Sequence, residues 1–488
     1  MKLFSRSIAL HRAVAGLYAT ILSLIIVAVP LQHANAQSAG SSSSQKVETR
    51  VADWQPDIIQ ETLPNGVRIL FSRINDIPLA EISIIVDAGT ARESGDQVGV
   101  AYATNQLLLK GSGDQSGEMI ARSLDDLGSI IVPYVHYDYA QLYAKSLSSN
   151  FGSTLRILAA AVVSPRFPEN EWQTFQKQAA ATLTRPVTSI GERATRVAIT
   201  SICGENSANT RSLLPASSEL EVLTTAEIKD FHSTWYRPEN TTVIVSGNLD
   251  FEFIRTILLE AFGRWKPAAG TQQDDVQDSQ AIIAGKRIVD VASADSMIVQ
   301  VRLSMPSIPR DSDDFAAMML LNELLSDGKD SRLRKALWGD RVISPTFTST
   351  LGITRSCNYC MIIGSVSHAL VNTTVQAVME VLEELRNTPV QEEELARVKS
   401  TILADSPLMF ASNRNMLAQL KEMAVYGLSS ETIIGYPGMI RNVTAADIQR
   451  VARAVFDPST VSVAVAAKAD VLLPQLGNSR EEWEVISE

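Results

Sequence analysis

Few side chains in this 488-residue chain could do chemistry, and those few are scattered. Cys357-Asn-Tyr-Cys360 has the spacing of a dithiol redox pair. It runs into Met361-Ile-Ile-Gly364, which reads as a strand, whereas a reactive thiolate needs a helix N-terminus or a neighbouring cation. Strand positions three apart point to opposite faces. The reading is therefore two ordinary buried thiols, with a structural disulfide between them or a redox pair as alternatives. With Cys203 the chain has three cysteines, too few for a disulfide-stapled scaffold. Beyond residue 36 the histidines are His136, His232 and His368. His136-Tyr137-Asp138-Tyr139 could gather around a pocket, although a polar strand face explains the pattern as well. His232 reads as a surface position rather than a ligand. Tyr102-Ala-Thr-Asn105-Gln106 sets three polar side chains at helical spacing on one face. A phenol and two amides offer no usual zinc ligand at neutral pH and no carboxylate base. The sequence has no glycine-rich phosphate loop, nucleophile elbow or second Cys/His cluster.

These residues need a frame. Leu63-Pro-Asn-Gly66 is a turn, and residues 67–72 read as the strand leaving it. A second strand follows at 81–87, then a polar loop, then the helix that carries Tyr102. Residues 271–280 are polar, rich in Gln and Asp, and have the composition of a linker. The halves on either side are related. Residues 223–250 align without a gap onto 443–470, at an offset of 220 throughout. Thr224 with Glu227, and Thr444 with Asp447, form capping-box pairs at the start of a helix. Pro238 and Pro458 follow each helix, and Val243/Val245 and Val463/Val465 mark equivalent strands. The expected fold is α+β: two homologous domains in a clam-shell arrangement, each an antiparallel-rich sheet with helices packed on one face. Their expected bounds are 54–270 and 281–475, with a C-terminal tail at 476–488.

The segments Leu63-Pro-Asn-Gly66, Lys110-Gly-Ser112, Ser164-Pro-Arg-Phe167 and Trp235-Tyr-Arg-Pro-Glu-Asn240, in that order around the Tyr102 helix, resemble the pitrilysin/insulinase family of zinc peptidases across residues 55–470. The resemblance is to its two-domain processing-peptidase type. In that family the helix carries His-x-x-Glu-His; here Tyr102, Asn105 and Gln106 stand instead. The family's third zinc ligand is a Glu on a later helix. Its place falls to Thr182, 76 residues beyond Gln106. None of the four supplies a thiolate, imidazole or carboxylate. The family's second domain contributes an Arg with a Tyr seven residues on. Carried through Ser331-Arg-Leu-Arg-Lys-Ala-Leu337, that register lands on Trp338 and Pro345. Arg334 and Arg341 lie nearby, and neither has a Tyr seven residues later. The family holds peptides by adding them to a sheet edge; the matching stretch here contains Pro133, which has no N–H to give an added strand. The resemblance therefore implies a catalytically degenerate member, with no catalytic residues, no metal and no cofactor of its own.

Lys2, Arg6 and Arg12, an apolar stretch over 13–31 and Ala34-Asn-Ala36 make residues 1–36 a secretory signal, with residues 37–53 a flexible tether. The periplasm is the expected location; an uncleaved anchor in the inner membrane is the alternative. Removal of that segment takes Lys+Arg from 43 to 40 against 54 Asp+Glu, a formal charge of −14. Such a chain has no electrostatic reason to bind nucleic acid or an anionic membrane. Two functions are open. One is a non-catalytic subunit that pairs with an active zinc-peptidase homologue. The other is a stand-alone protein that binds peptides in the inter-domain space. A third, an enzyme with relocated chemistry, would depend on residues such as Glu169 or His136.

Overall fold

The computed structural model of the chain describes residues 56–74, 77–183, 189–266, 285–291, 298–326, 328–339, 341–344, 346–467, 472 and 483–487. The expected signal (1–36), tether (37–53) and linker (271–280) lie outside these residues, as does Pro345. Residues 54–488 form one compact unit.

In the first half the order is β1 (Ile58–Thr62), β2 (Arg68–Arg73), β3 (Leu79–Val86), α1 (Val100–Leu107), β4 (Gly111–Ser112), β5 (Gln115–Ser116), α2 (Gly117–Asp126), β6 (Ile130–Val135), β7 (Ala140–Leu147), α3 (Phe151–Val163), α4 (Glu169–Thr182), α5 (Ile190–Cys203), α6 (Ser217–Glu221), α7 (Thr225–Trp235), β8 (Thr241–Gly247) and α8 (Phe251–Phe262). The second half runs β9 (Arg287–Val291), β10 (Ile298–Pro306), α9 (Phe315–Ser326), α10 (Arg332–Arg334), β11 (Thr348–Gly352), β12 (Tyr359–Ser367), α11 (Val371–Asn387), α12 (Glu392–Asp405), α13 (Asn413–Tyr426), α14 (Ser430–Asn442), α15 (Ala445–Val455), β13 (Ser462–Ala467) and β14 (Glu484–Ser487).

Two six-stranded sheets result, ordered β1-β2-β8-β3-β7-β6 and β11-β12-β10-β13-β9-β14. They match strand for strand. β2 pairs parallel with β8 as β9 does with β13, and every step onward through β3 and β7, or β10 and β12, is antiparallel. The sheets differ at one edge: β1 arrives by a hairpin, antiparallel to β2, whereas β14 runs parallel to β9 and comes from the segment expected as a tail. The repeated helices are built as their residues dictate. Thr224 Oγ1 accepts from the Glu227 N–H at 3.3 Å while the Glu227 carboxylate accepts from the Thr224 N–H at 2.7 Å. Thr444 and Asp447 repeat the exchange at 3.2 and 2.9 Å. Ile448, Val451, Ala452 and Val455 then put one apolar stripe of α15 into the core.

Each half has its own helix-covered core. Ile69, Phe71, Ile82, Ile84, Val243 and Val245 face α1, α3, α7 and α8, and Val299, Val301, Leu303 and Val465 face the helices of the second half. The opposite face of each sheet also carries a helix, and it comes from the other half. Leu70, Ile85 and Ile244 of the first sheet pack under Met416, Leu417, Leu420 and Met423 of α13. Met361 and Ala464 of the second sheet pack under Ala198, Ile199 and Ile202 of α5. Buried Arg302 on β10 reaches α5, with Nε donating to Thr195 Oγ1 at 2.9 Å and Nη2 to the Gly191 carbonyl at 3.1 Å.

The cysteines follow this exchange. Cys203, the last residue of α5, is disulfide-bonded to Cys357, with 5.8 Å between their Cα atoms. This corrects the expectation of two ordinary thiols at 357 and 360: the partner of Cys357 lies 154 residues away, on a helix that sequence spacing does not connect to it. Cys360 is free and buried, its thiol pushed up to about 12 by burial.

Candidate functional site

α1 is positioned from its first turn. Gly99 starts it at φ 89°, in the left-handed region that favours glycine, and a Cβ there would lie 2.9 Å from Pro215. Buried Glu93 accepts hydrogen bonds from the N–H groups of Gly99 (3.1 Å) and Ala101 (3.0 Å), taking up donors that a helix N-terminus leaves open. Burial pushes its carboxyl up to about 7, against the pull of those N–H groups and of Arg211, whose Nη1 stands 3.9 Å away. Sequence reading missed Glu93, because nothing in its spacing marks a cap six residues ahead of the helix.

The motif positions have found other work. Tyr102 is half-buried, its ring centroid 6.2 Å from that of Phe175 on α4, and Phe175 stacks on Trp172 at 5.8 Å. Asn105 is buried at 1% exposure and donates both ways from Nδ2, to the carbonyls of Tyr134 on β6 (2.8 Å) and Gln141 on β7 (3.2 Å). Gln106 is half-buried beside it. Thr182 is exposed at the last residue of α4, its Oγ1 donating to the Gln178 carbonyl at 2.8 Å. Phe175 lies seven residues earlier, so Thr182 shares its face, about 10 Å further along the axis. The helices that would hold a zinc ion are thus present, and aromatic rings meet between them. Zinc does not fit this donor set: a phenol packed on Phe175, an amide committed to strand carbonyls, a second amide and a hydroxyl. Among the described residues no group of three or more His, Cys, Asp and Glu could hold a metal ion.

Trp338 lies on a π-helical turn, Lys335–Gly339, and is 41% exposed. Two arginines near it are held in ion pairs. Arg332 pairs with Glu394 on α12 and Glu384 on α11, and Arg341 with Glu380. β6, with Pro133 opposite Leu142, is the outer strand of the first sheet and exposes Ile130, Val132 and Tyr134 on one face.

The histidines are more enclosed than the sequence suggests. His232 is not a surface residue: its Nε2 is 2.9 Å from the Val162 carbonyl, its ring stacks on Tyr236, and burial holds it down to about 4. His136 is likewise held at about 4, by burial and by Lys421, and its ring stacks on Tyr139. Its neighbour Asp138 joins a junction between the halves. The Arg355 N–H donates to Asp138 Oδ1 at 3.1 Å, Arg355 Nη1 is 3.0 Å from Asp87, and Arg355 Nε donates to the Val425 carbonyl at 2.8 Å. Burial raises Asp138 to about 6.

Two homologous sheet-and-helix halves, with α1 and α4 packed side by side on the first, define a peptidase-like shell of the inverted-zincin class. The chain belongs to the insulinase family of peptidases (M16): Insulinase (Peptidase family M16) matches residues 68–202 and Peptidase M16 inactive domain matches residues 223–402. An uncharacterized zinc protease of Mycobacterium leprae is 20% identical over 74% of this chain and 81% of its own length. The crystal structure of a peptidase M16 inactive domain from Pseudomonas fluorescens covers 84% of this chain and is itself covered to 98%, with a TM-score of 0.74 at 20% identity. The periplasmic protease PqqL from Escherichia coli matches 87% of this chain with 49% of its own, at a TM-score of 0.72 and 15% identity.

Proposed function

We propose that this chain is a non-catalytic member of its family, exported to the periplasm, that pairs with an active zinc-peptidase homologue and supports its handling of peptides. The observation that carries the reading is Asn105. Where the family's general base stands, this chain has a buried amide whose N–H groups are held by two strand carbonyls. Tyr102, Gln106 and Thr182 add no zinc donor. Trp338 in place of an arginine argues that the shell is not lent to a partner as half of its active site, so its contribution is to stability or chamber shape. The periplasm agrees with the expected signal segment and with the periplasmic protease PqqL, to which the chain is similar.

The test is affinity capture of the chain from its native source after mild crosslinking, with partners read by mass spectrometry and zinc by elemental analysis. A co-purifying homologue with intact His-x-x-Glu-His that carries the zinc is the expected result. Zinc bound stoichiometrically to this chain alone, or chelator-sensitive peptidase activity that follows it through purification without a partner, overturns the reading. The exposed stripe of Ile130, Val132 and Tyr134 on an outer strand favours a second reading, a stand-alone peptide binder. Pro133 within that strand opposes it.

A further inference from the structure

The exchanged helix leaves part of the first sheet open. Arg414 of α13 lies over the Tyr143 ring at 5.8 Å and Lys421 over the Tyr139 ring at 5.5 Å, so α13 runs antiparallel alongside β7. Its apolar residues cover Leu70 of β2, Ile244 of β8 and Ile85 of β3. Neighbouring strands are about 4.8 Å apart, so β7 and β6 reach roughly 10 Å beyond β3. Directly opposed residues of an antiparallel pair share a face. Val132 stands opposite Tyr143, with Ile130 and Tyr134 two places to either side. These three and Leu147 therefore lie on the face that α13 partly covers, and they are 60%, 44%, 37% and 46% exposed. The fold does not require an apolar strip there. In the second sheet the same positions, opposite Met361 and Ile363 on the face of α5, are exposed Thr350 and Thr348.

The charges beside the strip are assigned one by one. Buried Glu81 accepts from the Tyr143 hydroxyl at 2.8 Å and stands 3.6 Å from the Lys145 ammonium. Glu422 is paired with Arg310, and Asp138 takes the N–H of Arg355. His136 is held neutral at ordinary pH by burial and by Lys421. Arg414 and Lys421 remain, with no paired carboxylate among the described residues. They are seven residues apart on α13, which puts them on one face and about 10 Å apart along its axis. The strip is thus a floor of tyrosines, with two spaced cations on one side and exposed apolar side chains on the other.

We propose that this strip is the docking site for an amphipathic helix of a partner protein, laid alongside α13. Packed helices have their axes about 8–10 Å apart. With α13 over β8 and β3, a second helix at that distance is centred over β7 and β6. Its apolar face rests on Ile130, Val132, Tyr134 and Leu147. Two acidic residues seven apart on its flank meet Arg414 and Lys421, each with its own cation. Pro133 does not oppose this arrangement, because a helix takes nothing from the N–H groups of β6, whereas a strand added at the edge would. The inference goes beyond the subunit reading: it needs neither zinc nor a peptidase as the source of the helix.

The test is fluorescence-anisotropy titration of the full exported chain with a labelled helical peptide of about five turns, leucine on one face and glutamates seven apart on its flank. One control replaces the glutamates by lysines; another carries a central proline, which breaks the helix. The glutamate peptide is expected to bind saturably, and each control more weakly by about tenfold or more. Arg414→Glu should weaken the glutamate peptide by a similar factor and strengthen the lysine peptide. Val132→Glu, a change at an exposed position, should abolish binding without moving the unfolding midpoint. No saturation by the glutamate peptide, equal affinity for the lysine peptide, or binding unchanged in Val132→Glu overturns the proposal. A proline peptide that binds as tightly as the helix also overturns it, and assigns the strip to an extended chain.

Discussion

Asn105 and Glu93 hold the motif helix from its two ends, and neither role can be read from the residue type. An Asn in a helix names no partner; its acceptors here are backbone carbonyls 29 and 36 residues away, brought near by strand pairing. What the sequence does carry is the donor chemistry at 102, 105, 106 and 182, a phenol, two amides and a hydroxyl, because that is a property of the side chain alone. Glu93 gives a prediction at this scale. Its carboxyl titrates near 7 in the fold against 4.5 ordinarily. Between those values the folded state keeps a proton that the unfolded chain releases, so its contribution falls as pH rises through the window, by on the order of 3 kcal/mol in all. Glu93→Gln keeps an oxygen for the Gly99 and Ala101 N–H groups and never ionises. The variant should match the wild type near pH 5 and exceed it above pH 7 in denaturant midpoint. An identical difference at both pH values would remove Glu93 as the cause. Comparing the two proteins also cancels the opposite drift from His136 and His232, which lose stability as pH falls from about 6.5 towards 4.

Among the elements, the repeat was legible because caps, apolar spacing and terminators are local signals, and they survive duplication at a fixed offset. The exchange of α5 and α13 was not. Amphipathic spacing says that a helix has an apolar face, but not which sheet that face covers. The same gap explains the cysteines, since a pairing across halves is invisible until α5 is placed on the second sheet. The disulfide closes a long loop between α5 and the residues ahead of β12, and chain-entropy arguments give such a link about 2–5 kcal/mol. Cys203→Ser/Cys357→Ser should lower unfolding stability by that amount, and reduced wild-type protein should behave like the double variant. Equal stability with and without reductant would show that the packing of α5, rather than the bond, fixes it.

For the whole molecule, the exchange decides what kind of object this is. A clam-shell joined by a single linker lets its halves fold and move independently. Here each half completes the other. Without α13 the first sheet would bare Leu70, Ile85 and Ile244, and without α5 the second would bare Met361, Ala464 and the charge of Arg302. An apolar sheet face left open in water favours aggregation, and an arginine stripped of Gly191 and Thr195 loses the contacts that make its burial tolerable. Arg355 adds a polar tie, reaching from the second half to Asp87 and Asp138 in the first. The full chain should therefore unfold in one cooperative transition by calorimetry, with no separate melting of halves. Fragments 54–270 and 281–488 expressed apart should be insoluble or lack near-ultraviolet dichroism, and co-expression should recover a soluble pair. Two independently folded fragments, each with a sharp transition of its own, would mean that the exchanged helices cover the sheets without being required by them. The shell would then be free to open as a hinge, and the proposed partner peptidase would have room to dock between the halves rather than against a closed body.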